Sequence, residues 1–88
     1  MKVSFTKDFN AQLADIGDKK LAMAVMAAIE NAENAKSPGE ITGIKKLKGH
    51  KSAYRIRCGN YRVGIFIEKG EVLFAVIDDR KDIYKKFP

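Results

Sequence analysis

The stretch Tyr54 to Val63, Tyr-Arg-Ile-Arg-Cys-Gly-Asn-Tyr-Arg-Val, leaves the second half of this chain little conformational freedom. Side chains alternate in character on both sides of Gly59-Asn60. A two-residue connection of that kind between alternating runs specifies a tight β-hairpin. The turn sets a register in which Cys58 faces Tyr61, Arg57 faces Arg62 and Arg55 faces Gly64. Residues two apart on a strand, and residues directly opposite, share a face. Arg55, Arg57 and Arg62 therefore crowd one patch, and Tyr54, Ile56, Tyr61 and Val63 turn to the other side. Like charges directly opposite cost about 0.2–1 kcal/mol. An anion held over the guanidinium groups reverses that cost; a solvated basic face that protects a sheet edge is the alternative.

Around this hairpin the chain divides into a helical half and a strand half. Met1 to Phe5 reads as a first strand. Thr6 is an N-cap for a helix carrying Phe9, Leu13 and Ile16, with Gly17 as its C′ glycine. Asp18 caps a longer helix, about Lys19 to Ala35, whose apolar stripe is Leu21, Val25, Ala28, Ile29 and Ala32. Met23 and Met26 are expected as core filler beside that stripe. Ser37-Pro38-Gly39 ends it. From Ile41 the period becomes two: Ile44 to Lys48 is a basic strand, and a polar connection with His50 leads into the hairpin. The second hairpin strand runs on through Ile65 and Ile67. After the Lys69-Gly70 turn, Glu71 to Ile77 is apolar on both faces, as a central strand is. Asp78 to Tyr84 closes the chain as a turn or short helix. The expected fold is α+β over one domain, 1–88: a strand, a helical hairpin, then a mainly antiparallel four-stranded run in one twisted sheet. Helices cover one face of it and leave the other open for the arginine patch.

Composition narrows the function. An apolar share of 45% and a charged share of 32% describe a globular chain without a membrane span. The first residues lack an apolar run and a cleavage site, so the cytoplasm is the expected compartment. One cysteine and one histidine allow no intrachain disulfide and no multi-cysteine or paired-histidine metal site, and no cofactor is expected. The net charge of +6 is unevenly placed: residues 1–40 carry five Lys and six acids, residues 41–88 twelve basic residues and five acids. From Ile41 to Ile67 there are seven basic residues and no acid. A one-sign block on the half that holds the hairpin is a footprint for a polyanion or an acidic protein partner.

Leu-Lys-Gly at 47–49, Tyr-Arg-Ile-Arg at 54–57, Gly-Asn-Tyr-Arg-Val at 59–63 and Asp-Arg-Lys-Asp-Ile-Tyr at 79–84 resemble the RelE/ParE superfamily of type II toxin–antitoxin toxins. The resemblance implies a toxin neutralised by an acidic cognate antitoxin in a hetero-oligomer, with the ribosome and messenger RNA as further partners. RelE-type members cut messenger RNA on the ribosome without metal, by attack of a ribose 2′-hydroxyl on the adjacent phosphate. It further implies that Arg62, Arg80 and Tyr84 are catalytic and that Arg55 and Arg57 hold phosphates. Lys45, Lys46 and Lys48 are phosphate-binding candidates or a solvated run. Many relatives carry histidine where this chain has Asp79, and arginine does not lose its proton in proteins. Proton transfer is left to Tyr84, Asp79, His50 or Lys48, each of which also has a structural reading as anchor, cap, loop residue or surface cation. Cys58 is expected as a small strand residue. A ParE-type gyrase poison and an inactive antitoxin-binding relative are the competing functions.

Overall fold

The computed structural model describes residues 1–79, 83, 87 and 88. In chain order they form β1 (Lys2–Phe5), α1 (Lys7–Ala14), α2 (Lys19–Asn34), β2 (Ile44–Lys46), β3 (Ala53–Cys58), β4 (Tyr61–Glu68) and β5 (Glu71–Asp79). The strands make one sheet in the order β1-β5-β4-β3-β2. Three pairings are antiparallel, and β1 lies parallel to β5 at one edge. This is the expected α+β architecture.

Local chemistry starts both helices as read. The Thr6 hydroxyl accepts the Phe9 N–H at 3.0 Å and donates to the Ala75 carbonyl at 2.7 Å, so one side chain caps α1 and ties it to β5. Asp18 accepts the N–H groups of Lys20 and Leu21 at the start of α2. Gly59 has φ +61°, the positive value that a glycine supplies at the first position of a two-residue turn. At the next turn both Lys69 and Gly70 are left-handed. Gly17 is not: α1 ends at Ala14, with the Asp15 N–H on the Ala11 and Gln12 carbonyls, so no left-handed residue is required there.

The main core lies between the helices and one sheet face. Phe9, Val25, Ile29 and Ala32 meet Ile56, Val63, Ile65, Val72, Phe74 and Ile77. Met23 and Met26 are not part of it; they are 63% and 55% exposed on the outer side of α2. The stripe of α2 that is buried is Val25, Ala28, Ile29 and Ala32, and both methionines fall outside it.

The reverse face is only partly open. Leu47, Ala53, Ile83 and Phe87 form a second buried cluster there with Phe66, Ala75 and Val76 packed on it. Phe87 fits because Gly64 has no side chain: a Cβ at 64 would stand 2.8 Å from the Phe87 ring and from Val76. β5 also runs two residues further than expected, so Asp78 and Asp79 are strand residues, not the start of a closing turn.

Candidate functional site: the arginine face of the hairpin

β3 and β4 pair with Cys58 opposite Tyr61, Arg57 opposite Arg62 and Arg55 opposite Gly64, the register that the Gly59-Asn60 turn dictates. Arg55, Arg57 and Arg62 thus share the face that carries Gly64 and Phe87, away from the helices. Lys45 joins them, since it pairs with Arg55 across the β2–β3 ladder. Lys46 is one residue on and belongs to the opposite parity, and Lys48 lies in the loop beyond. Arg80 and Tyr84 lie outside the described residues.

The three arginines differ in how they are held. The Gly43 carbonyl accepts both the Arg57 N–H at 3.1 Å and Arg55 Nη1 at 2.7 Å, so Arg55 is tied to the entry of β2. Arg57 is exposed. Arg62 folds back on its own turn: Nη1 donates to the Gly59 carbonyl at 3.2 Å and the Tyr61 carbonyl at 3.1 Å. Its Nε is buried and has no hydrogen-bond partner among the described residues. A buried guanidinium N–H left unpaired is costly, and such groups mark positions where an acceptor is missing.

On its other side Arg62 faces Asp78 across the β4–β5 ladder. A row Asp78–Arg62–Arg57 therefore crosses three strands, and the carboxylate offsets part of the repulsion between the two arginines. Asp79 faces Tyr61, on the side that meets Gln12, Ile16 and Leu21. Of the adjacent aspartates it is thus Asp78 that shares the arginine face, and Asp79 lies across the sheet from Arg62. Strand alternation would have found this, had β5 been carried two residues further. His50 and Lys48 sit in the β2–β3 loop, beyond the edge of the arginine row. Cys58 is buried on the helix side, its Sγ 3.9 Å from the Ala24 carbonyl. Burial pushes its thiol above the ordinary value of 9.0, and the Arg62 charge offsets part of that rise. Among the described residues no three His, Cys, Asp or Glu side chains gather as a metal cluster, and no helix is long and apolar enough to cross a membrane.

Sheet order and helical hairpin together give the architecture of small toxin proteins of the RelE kind. No family model matches the chain. It is 37% identical over 89 residues to Toxin RelE3 of Methanocaldococcus jannaschii, with all of both chains covered, and it belongs to the RelE family of toxins of type II toxin–antitoxin systems. The toxin in the RelB–RelE antitoxin–toxin complex from Methanococcus jannaschii superposes with a TM-score of 0.76 at 34% identity, covering 96% of this chain and 98% of that one. The RelE–RelB complex from Pyrococcus horikoshii OT3 gives 0.72 at 22% identity, covering 90% and 93%. The YoeB dimer from Staphylococcus aureus gives 0.73 at 15% identity, covering 89% and 94%; these last two are likenesses of fold.

Proposed function

We propose that this toxin is a ribosome-dependent, metal-independent messenger-RNA endonuclease, held inactive by an acidic antitoxin. The reading is carried by the hairpin register, which sets Arg62 opposite Arg57 and on one face with Arg55. In the reaction a ribose 2′-oxygen bonds to the adjacent phosphorus and the bond from phosphorus to the 5′-oxygen breaks. A 2′,3′-cyclic phosphate and a 5′-hydroxyl end result, with one proton leaving the 2′-oxygen and one arriving at the 5′-oxygen. The charge that builds on the phosphoryl oxygens suits a planar guanidinium fork, which is the role of Arg62. Arg55 and Arg57, with Lys45, Lys46 and Lys48, hold flanking phosphates. Arg80 and Tyr84 of the closing motif complete the catalytic set, with Tyr84 as the proton-transferring group.

The antitoxin assignment rests on the seven basic residues without an acid between Ile41 and Ile67 and on the antitoxin complexes of the related toxins. A flexible acidic chain is attracted to such a surface. Its affinity should fall as salt rises, because exposed charge pairs are screened.

One observation favours a ParE-type gyrase poison instead. The aspartate standing where many relatives carry histidine, Asp79, lies on the sheet face away from Arg62, so it adds no acid or base to the arginine patch. Inducing the toxin alone and mapping messenger-RNA 5′ ends separates the two. The nuclease reading expects new 5′ ends on translated messages, and cleavage of preassembled, intact ribosome complexes that persists in EDTA. Messages left whole together with gyrase trapped on cut DNA transfer the assignment to the gyrase reading.

A further inference from the structure

Met23 and Met26 project from the outer side of α2 and are the most exposed of the large apolar side chains among the described residues. Phe5, the next, stacks on Phe9 with ring centroids 5.7 Å apart, whereas neither methionine joins a buried cluster. The two do not stand alone. Lys19, Met23, Met26 and Glu30 follow one another at intervals of four, three and four residues, and all are exposed. That spacing aligns them as one stripe along the helix, the pattern of a two-helix seam.

Charge on this face runs against the helix dipole. α2 opens on Lys19 and Lys20 and carries Glu30 and Glu33 toward its end, with no acid in its first turn and no base in its last. Cations at an N-terminus and acids at a C-terminus destabilise a lone helix. Neither Lys19 nor Glu30 has an ion-pair partner among the described residues. A second α2 laid antiparallel reverses the effect, because each positive end then meets a negative one and the two dipoles oppose.

One register satisfies the whole stripe. Where Met23 of one copy meets Met26 of the other, Lys19 meets Glu30, and the two-fold axis repeats both contacts in reverse. A shift of one turn in either direction sets a methionine against a charge. The face is thus complementary to itself, as an isologous interface must be. An acidic antitoxin segment or an RNA would meet Glu30 and Glu33 here, so neither matches it. The helices lie on the sheet face away from Arg62, and pairing through α2 leaves both arginine rows turned outward.

We infer that the outer face of α2 joins two copies of this chain in an antiparallel helix pair, with Met23 on Met26 and Lys19 on Glu30. The pairing does not depend on the nuclease reading. A seam along one 16-residue helix is smaller than a standard interface, so the dimer is weak and forms only as concentration rises.

The test is sedimentation velocity of the full toxin chain from about 5 to about 500 µM, where a monomer–dimer equilibrium is expected. Lys19→Glu and Glu30→Lys each put like charges into both symmetry-related layers, so each alone should weaken self-association about tenfold. Mixed in equal amounts, the two variants should pair with one another as well as the wild type pairs with itself, because the reversed charges then face each other. Met23→Gln/Met26→Gln should stay monomeric throughout. In a Cys58→Ala background, Met23→Cys mixed with Met26→Cys should oxidise to a cross-linked dimer faster than either variant does alone. The four stripe residues are exposed, and matched melts at low concentration check that each variant is folded. A toxin that is monomeric at the highest concentration overturns the inference. So do charge variants that dimerise like the wild type, or a mixture of them that does not pair. Charge variants that lose affinity for the antitoxin but keep self-association give the face to the antitoxin and overturn it as well.

Discussion

Arg62 is the residue at which stability and activity should part company. Replacing it by alanine removes the contact with Arg57 that costs about 0.2–1 kcal/mol, and removes a buried N–H that has no partner among the described residues. It also gives up two exposed hydrogen bonds to the turn and the attraction of Asp78. These effects oppose one another, so Arg62→Ala should melt within a few degrees of the wild type. On the nuclease reading its cleavage rate should fall by about 10²–10³, the scale seen when one preorganised donor is deleted. Arg62→Lys keeps the charge, loses the fork, and should recover only part of the rate. A large drop in melting temperature, or full toxicity, for Arg62→Ala would make the residue structural. Gly64 is the opposite case. Gly64→Ala drives a methyl group into the Phe87 ring and Val76, and should cost about 1–3 kcal/mol in chemical denaturation. The double variant with Phe87→Ala should show less than the sum of the two losses.

Among the elements, α2 has a buried and an exposed side that a pair of melts can tell apart. Ile29→Ala should cost about 2–5 kcal/mol, as a buried aliphatic truncation does. Met23→Gln should stay within about 0.5 kcal/mol of the wild type. The exposed methionines were not legible in the sequence, because an alanine-rich helix has apolar residues on nearly every side and its periodicity marks no sharp boundary. The hairpin was legible down to its register, since a two-residue turn leaves one pairing open to it and the pattern is local. The caps at Thr6 and Asp18 were readable for the same reason. What covers the reverse face was not: the Gly64–Phe87 contact joins residues far apart in the chain, and a lone glycine in a strand carries no sign of which ring fills it. The sharing of one face by Asp78 and Arg62 depends on where β5 ends, the kind of boundary that local pattern reads least well.

For the molecule as a whole, Cys58 links stability to pH at the alkaline end. Burial holds its folded thiol above 9.0, so the folded state keeps a proton that the unfolded chain releases. This contribution is fully present below pH 9, and stability is lost as pH rises through 9 toward the folded value. The difference in unfolding free energy between wild type and Cys58→Ala should therefore be flat at neutral pH and narrow as the solution becomes alkaline. A gap that does not change across that range would show that the thiol is not shielded.

The parallel pairing of β1 with β5 has a consequence for how the toxin is made. Thr6 reaches the Ala75 carbonyl across a sequence separation of 69 residues, and the strand before it lies against the last strand of the sheet. On a ribosome that builds the chain from its first residue, β1 waits with its partner unsynthesised until β5 has left the exit tunnel. Contacts of such long range form late and close slowly. The row Asp78–Arg62–Arg57 is likewise incomplete until β4 has paired with β5. A nascent copy therefore lacks the complete row until its last strand docks, and an antitoxin already present meets the toxin at that moment.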